Sequence, residues 1–247
     1  MLDFSNIYNG ANCWVEDNLH HLNKDSKSEA EYYQILLYSK DKIHYSKALK
    51  YMYEFYLNNQ SIEEKIEYLT YNNFPNYRIS EVLAIDSLYN KENNSENMQQ
   101  SYFNSFLYKL IKDKNLLVLL ANRNYIYSIT HTIFYCTYFN CTNFCFEEDY
   151  SELVKILTDC LLISIRKGDI DVLLEVAVCV YILNLSGKVD RLIMEMTFQT
   201  IKDNQAKDGF IYPTTMSKQN FTNHKEQFDY VYHTTLVGKL LKEVIEN

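Results

Sequence analysis

The chain has 247 residues, 47% of them hydrophobic, so it can bury a substantial core and is not an intrinsically disordered chain. Only five Gly and two Pro occur, which argues against a protein with many turns and strands and favours helices joined by short connections. The net charge of −8 comes from acids spread along the chain, and the lack of a basic block excludes nucleic acid as an expected partner.

The sequence also predicts where the protein resides. Its first residues show no basic segment followed by the apolar run of a signal peptide, and we find no run of eighteen apolar residues. We therefore expect a cytoplasmic protein without a membrane span, whose cysteines stay reduced. Cys160 and Cys179 lie in apolar helical segments and are expected to behave as small buried hydrophobic residues.

Apolar residues recur at three- and four-residue spacing nearly throughout, which predicts helices from end to end. In the first half these helices cover 4–22, a segment from Ser26 onward, 43–55, a segment from Ser61 to Pro75, and 79–88. Ser28, with Glu31 three residues on, predicts an N-cap. Ser61 is followed by two acids and predicts a second capped helix start.

The most polar stretch of the chain is 90–97, which predicts an exposed loop and a candidate internal boundary in one all-helical domain over 1–247. The helices predicted beyond it cover 103–110, 116–120, 126–139, 150–165, 172–185, 189–201 and 228–245. Gly168 and Gly187 are predicted to end helices. No alternation of apolar and polar residues extends beyond four or five positions, so no sheet is expected.

Two helical segments carry a His-Thr pair. In 126–139, His131 and Tyr135 are four residues apart and share a polar stripe with Thr132 and Tyr138. One interpretation is a buried histidine satisfied by a neighbouring hydroxyl or carbonyl, and the other is a ligand site.

The second pair is His233 and Thr234, in a helix where Gly238 would allow a close helix approach. Between the two helices, Asp208 and Gly209 predict a tight turn with a positive φ at the glycine. Gln205 can reach back from this turn to bind backbone groups.

These motifs carry a resemblance. Gln-x-x-Asp-Gly before an aromatic residue, at 205–210, resembles a turn of α/α-toroid proteins such as squalene-hopene-type cyclases and protein prenyltransferases. The segments 130–139 and 232–238 are similar to an uncharacterised all-helical bacterial family, some members of which lie near gene clusters for modified-peptide natural products. That family's pattern is Thr-His-x-x-Phe-Tyr-x-Thr-Asp-x-Gly. Tyr138 replaces its aspartate here, which favours binding over catalysis if that aspartate is a catalytic acid or a ligand.

The resemblance implies an all-α fold in which paired antiparallel helices close into an α/α toroid, with an open α-solenoid as the alternative. It implies an apolar or peptidic ligand in a central cavity, with His131 and His233 as candidate catalytic acid–base residues. Tyr135, Tyr138 and Thr234 are the candidate ligand-binding residues. The expected role is an accessory or modifying enzyme in peptide natural-product biosynthesis. A non-catalytic helical scaffold for another protein is the alternative.

We expect no metal and no cofactor. His131, three cysteines and an aspartate of the same region supply enough donors for zinc, but the Cys141-x3-Cys145 spacing is unlike that of zinc fingers. No glycine-rich phosphate loop occurs, so nucleotide use is not expected. A serine hydrolase is also not expected, because the sequence lacks Gly-x-Ser-x-Gly and a strand to present it.

Overall fold

The computed structural model describes residues 5–24, 26–37, 42–57, 60–75, 77–90, 116–137, 150–215 and 221–246. Every regular element in these ranges is a helix, which confirms the all-α prediction. The helices are α1 (Ser5–Asn18), α2 (Lys27–Leu36), α3 (Lys42–Leu57), α4 (Ile62–Tyr71), α5 (Tyr77–Asn90), α6 (Leu116–Leu120), α7 (Arg123–Cys136), α8 (Tyr150–Lys167), α9 (Ile170–Ile182), α10 (Arg191–Asp203) and α11 (His224–Glu246). β-structure within these ranges is limited to two isolated bridges.

The chain divides into two units. The first combines Met1–Glu31 with Val154–Asn247, and the second is Tyr32–Leu153. Residues 91–97 lie outside the described part of the chain, so the single domain with a boundary near 90–97 stays a prediction, and the helix predicted over 103–110 lies outside it as well.

The core of the first unit is built on α9. Every residue of α9 except Tyr181 is buried, and α11 packs against both α9 and α1. Trp14 of α1 stacks on Phe228 of α11, with ring centroids 5.9 Å apart. Although α9 is strongly apolar, no helix in the described ranges is long and apolar enough to cross a membrane.

The core of the second unit is built on α5. Its residues from Ser80 to Ser87 are all buried, and the helix packs against α3, α4 and α7. An amphipathic helix would expose some of these positions to solvent, but here all of them are buried, including the acidic residues Glu81 and Asp86. The partners of Glu81 are therefore central to this unit.

The capping predictions have mixed outcomes. Ser61 caps α4 as predicted, since its hydroxyl accepts from the Glu64 amide at 3.2 Å and its own amide donates to Glu64 Oε2 at 2.9 Å. Ser28 is the wrong residue, because α2 begins at Lys27 and Ser26 Oγ accepts from the Glu29 amide at 3.2 Å. Both serines precede a glutamate by three residues, so the sequence offers two equivalent starts.

The two glycine predictions also differ. Gly168 follows the last residue of α8 with a φ of +65°, as predicted for a helix end. Gly187 does not end α9, which stops at Ile182 before a left-handed turn at Asn184, with a φ of +53°.

The turn after α10 fastens α1. Gly209 has a φ of +104°, and a Cβ there would lie 2.3 Å from the backbone oxygen of Gly10. Gln205 Nε2 donates to the backbone oxygens of Ile7, at 2.7 Å, and Gly209, at 2.8 Å. A Cβ on Gly238 would lie 3.1 Å from Ala11 Cβ, so the predicted close approach at this glycine is confirmed as well.

We predict that Gly209→Ala lowers the free energy of unfolding by about 2 kcal/mol or more, because it combines a strained positive φ with a backbone clash. Gly187→Ala is the matched control. It has no positive φ and a Cβ there would meet nothing within 4 Å, so a change within about 0.5 kcal/mol is expected. Urea unfolding followed by circular dichroism measures both, and equal stabilities for the two variants would contradict the close packing of the turn on α1.

Candidate functional site

Two carboxylates are buried on one face of α9. Asp169 caps the helix, its side chain accepting from the Val172 amide at 3.2 Å, and so sets where the helix begins. Asp171 and Glu175 follow four residues apart, which places them on the same face. Their exposed fractions are 3% and 1%.

His233 on α11 lies against these carboxylates. Its Nε2 is 3.4 Å from Glu175 Oε1 and 3.7 Å from Asp171 Oδ1. Its Nδ1 is 3.3 Å from Oε2 of Glu31, a residue of α2. The imidazole therefore has a carboxylate on each side, while 37% of its side chain remains exposed to solvent.

The same carboxylates have further partners. The Thr234 hydroxyl donates to Asp171 Oδ1 at 2.7 Å, and the ammonium of Lys27 lies 3.2 Å from Glu31 Oε1. We call Asp171, Glu175, His233 and Glu31 the acidic cluster. All its members belong to the first unit.

The cluster shifts the titration of its members. Burial by itself lowers the pKa of His233, but the charge of Asp171 and the hydrogen bonds to Glu175 and Glu31 raise this pKa well above its usual value. Burial by itself raises the pKa of Glu31, but hydrogen bonding to His233 and the charges of His233 and Lys27 lower it to about 2. Such an arrangement can hold a proton on the imidazole or hold a cation between imidazole and carboxylates.

A second polar cluster surrounds Glu81 of α5. Glu81 is fully buried; Arg78 Nη1 lies 2.5 Å from its Oε2, and the Tyr135 hydroxyl donates to its Oε1 at 2.8 Å. Gln34 Nε2 donates to Glu81 Oε1 at 2.6 Å and to the Tyr56 hydroxyl at 3.2 Å. These contacts lie within the second unit.

Burial and the charge of Glu81 together shift the pKa values of the neighbouring residues. Burial raises the pKa values of Tyr56 and Tyr135 well above the usual value, and the negative charge of Glu81 raises them further. Burial alone would lower the pKa of Arg78, but the Glu81 charge raises it. The two tyrosines are therefore neutral, and Arg78 keeps its positive charge.

His131 lies beside this cluster. Its Nδ1 is 3.0 Å from the backbone oxygen of Tyr127 and 3.2 Å from the Thr130 hydroxyl. Four aromatic rings surround the imidazole, with centroids 4.8 Å away for Tyr77, 5.4 Å for Tyr127, 5.7 Å for Phe134 and 6.0 Å for Tyr135. His131 is thus held within a mainly aromatic wall.

The predicted site residues fall into both units. His131 and Tyr135 belong to the second and His233 and Thr234 to the first, while Tyr138 lies outside the described residues. That His131 and His233 share one cavity stays a prediction. Within each unit, the predicted residues are close together in the sequence. Tyr135 follows His131 by four residues, and Thr234 is adjacent to His233.

Sequence reasoning missed the acids at the centre of the two polar clusters. These are Asp171, Glu175, Glu31 and Glu81. The signal for the first two was present, because acids four residues apart inside an otherwise apolar helix must share one buried face.

The cysteine predictions can be followed only in part. Cys160 and Cys179 are buried, as predicted. Burial and then the charge of Asp159 raise the pKa of Cys160 to about 12, so its thiol stays protonated. Of the weighed zinc donors, Cys141, Cys145 and Asp149 lie outside the described residues.

Comparison with known proteins gives one family. Residues 67–242 match the family described as a domain of unknown function, DUF6895. This range includes Asp171, Glu175 and His233 together with Arg78, Glu81 and His131. No match was found among curated proteins or among solved structures.

We predict that Glu81→Gln lowers the free energy of unfolding by about 3 kcal/mol, because it removes the counter-ion of a largely buried guanidinium. Glu54→Gln is the control in the same unit. Its partner Lys50 is 3.9 Å away and both side chains are about two-thirds exposed, so a change within about 0.5 kcal/mol is expected. Urea unfolding compares the two variants, and a negligible effect of Glu81→Gln would contradict a stabilising role for the buried Arg78–Glu81 pair.

Proposed function

The chain belongs to the DUF6895 family, and we propose that it binds an apolar or peptidic ligand against the aromatic wall around His131. The observation that carries the proposal is the grouping of Tyr77, Tyr127, Phe134 and Tyr135 about one imidazole. We call these five residues the His131 site. Small-molecule and peptide sites combine mostly apolar and aromatic walls with a few convergent polar groups.

The His131 site extends from the protein surface into the interior. Tyr77, Tyr127 and His131 are partly exposed, whereas Phe134 and Tyr135 are buried. The Tyr135 hydroxyl connects the wall to the Glu81 carboxylate. An apolar ligand group can thus contact rings that a fixed polar network holds in place.

Two arginines border the same wall, and Arg78 is already paired with Glu81. The guanidinium of Arg123 lies 5.0 Å from the ring centroid of Tyr127, and that of Arg78 lies 5.3 Å from the centroid of Tyr77. Arginine stacked on an aromatic ring can still hydrogen bond a carboxylate through its edge. We therefore propose a ligand with an aromatic or aliphatic group and a nearby anionic group, such as a peptide carboxylate.

His131 supplies the acid–base function in the catalytic version of this proposal. A neutral imidazole has one nitrogen that donates and one that accepts, so His131 can exchange a proton with a bound ligand. Binding without catalysis is the primary proposal, because Tyr138 replaces the aspartate of the motif that the sequence resembles. The same proposal includes a cytoplasmic accessory or modifying role in peptide natural-product biosynthesis, supported by that resemblance alone.

A protein-binding scaffold is the second candidate function, and a specific surface favours it. Near the end of α4, Tyr68, Tyr71 and Phe74 have exposed fractions of 48%, 84% and 43%. Clustered exposed aromatic residues are typical of protein interfaces. The two candidates can be separated by substituting one surface at a time.

We predict that anilinonaphthalene sulfonate, an aromatic probe with one anionic group, binds saturably to the native protein and that His131→Ala weakens binding at least about fivefold. An Arg123→Ala change should act in the same direction, because it removes the cation beside the wall. Tyr71→Ala is the matched surface control and should leave the affinity unchanged. A fluorescence titration measures all four proteins after circular dichroism has verified their helix content. Binding lost in Tyr71→Ala but retained in His131→Ala would overturn the ligand proposal and favour the scaffold.

The fold part of the proposal is that the paired helices close into an α/α toroid rather than an open solenoid. A compact chain of this length has a radius of gyration of about 18 Å, and a closed ring should lie close to that value. Small-angle X-ray scattering on the monomer measures it. A radius well above 20 Å, with an elongated distance distribution, would support the solenoid instead.

A further inference from the structure

We propose that Asp171, Glu175 and His233 form a binding site for one divalent first-row transition-metal ion, with Glu31 orienting the imidazole. The site lies in the first unit and does not depend on the ligand site proposed around His131. The expectation of no metal rested on cysteine spacing and did not consider this donor set.

The spacing of the donor atoms fits a shared ion. One ligand atom from each of the three residues lies within 4.8 Å of the others, with Nε2 of His233 3.4 Å from Glu175 Oε1 and 3.7 Å from Asp171 Oδ1. Metal–ligand bonds of about 2.0–2.2 Å in tetrahedral geometry place neighbouring ligand atoms about 3.3–3.6 Å apart. The two distances from Nε2 are close to this spacing, and both are longer than an ordinary charge-assisted hydrogen bond of about 2.7–2.9 Å.

The charges also favour a divalent ion. Asp171 and Glu175 are almost completely buried, and together they carry two negative charges toward one imidazole. A divalent ion between these side chains would place more positive charge beside the two buried carboxylates than a proton on His233 does.

Glu31 supplies the outer contact that metal-binding histidines usually have. Its carboxylate lies 3.3 Å from Nδ1 of His233 and can accept the Nδ1 proton. An ion that displaces the Nε2 proton would then meet the Nε2 lone pair facing Asp171 and Glu175. The Thr234 hydroxyl orients Asp171 through its 2.7 Å hydrogen bond. In each contact the orienting residue lies on a different helix from the group that it orients. Glu31 of α2 orients the His233 imidazole of α11, and Thr234 of α11 orients the Asp171 carboxylate of α9. The donor set is therefore preorganised.

The donor types select the class of ion. Imidazole with carboxylates suits Mn²⁺, Fe²⁺, Co²⁺ or Zn²⁺, whereas Ca²⁺ and Mg²⁺ prefer oxygen ligands alone. Three protein ligands leave a further position for water or another small ligand. The His233 side chain is 37% exposed, which is the largest exposed fraction in the acidic cluster.

The test uses Mn²⁺ on the full chain after treatment with a chelator and gel filtration. We expect one Mn²⁺ per chain by equilibrium dialysis, detected by electron paramagnetic resonance, and displaced by Zn²⁺. Glu175→Gln and His233→Gln should each weaken binding at least tenfold. Glu31→Gln should weaken it about 10–100-fold although it removes no ligand atom.

Glu16→Gln is the matched control, since Glu16 is an acid of the same unit that pairs with Lys239 and lies outside the cluster. It should bind Mn²⁺ as the unmodified chain does. If Glu175→Gln fails to fold, Glu31→Gln still decides the question, because Glu31 lies at the edge of the cluster. Absence of binding to the unmodified chain, or equal binding to the Glu31 and Glu16 variants, would overturn the proposal.

A second measurement identifies the ligand directly. The chain has six histidines, so ¹⁵N-labelled imidazoles give a small set of signals that His233→Gln can assign. With Zn²⁺, the His233 signals should shift to those of an imidazole with a proton on Nδ1 and a metal on Nε2. A shift confined instead to His20 and His21, which lie with ring centroids 4.0 Å apart near the surface, would mean adventitious zinc and contradict the site.

Discussion

Buried carboxylates on otherwise apolar helices are the constraint from which much of this structure follows. α9 and α5 are each enclosed on nearly all sides, yet α9 carries Asp171 and Glu175 and α5 carries Glu81. A buried carboxylate is tolerated only when it is paired or hydrogen-bonded. The helices around each one therefore have to present specific polar groups at specific positions, which restricts how those helices can pack.

In the first unit this requirement connects distant parts of the chain. His233 and Thr234 reach the α9 carboxylates only because α11 packs on α9, and Glu31 reaches the imidazole from α2. The register of α11 is held by its packing on α1 around Gly238. The turn that contains Gly209 holds α1 in place, because Gln205 hydrogen bonds to the backbone of α1 and Gly209 packs closely against Gly10. Backbone packing some distance from the acidic cluster thus sets its geometry.

The local features were predictable from the sequence because their causes are local. The α4 cap at Ser61, the helix end at Gly168 and the Asp208–Gly209 turn each follow from a few adjacent residues. Prediction failed where two local solutions compete, as with Ser26 and Ser28, or where packing ends the helix early, as at Ile182.

The histidines of the candidate sites were found because each adjoins polar residues at helical spacing. The acids of the two polar clusters were not, since Glu31 lies 202 residues from His233 and Glu81 lies 54 residues from Tyr135. No local pattern encodes contacts at such separations. Only Asp171 and Glu175 could have been recognised, by their spacing within an apolar helix.

Stability alone does not account for the acidic cluster. Apolar residues of similar volume often replace a whole buried ion network with no loss of stability, or with a gain, so an apolar set in place of the acids and His233 together would be tolerated on energetic grounds. The carboxylates instead direct charge toward the one imidazole of the cluster, and that imidazole keeps an exposed side. A purely structural ion network gains nothing from solvent access, since water weakens its electrostatic interactions. Buried acids joined to a solvent-accessible imidazole are what the binding of an ion from solution requires.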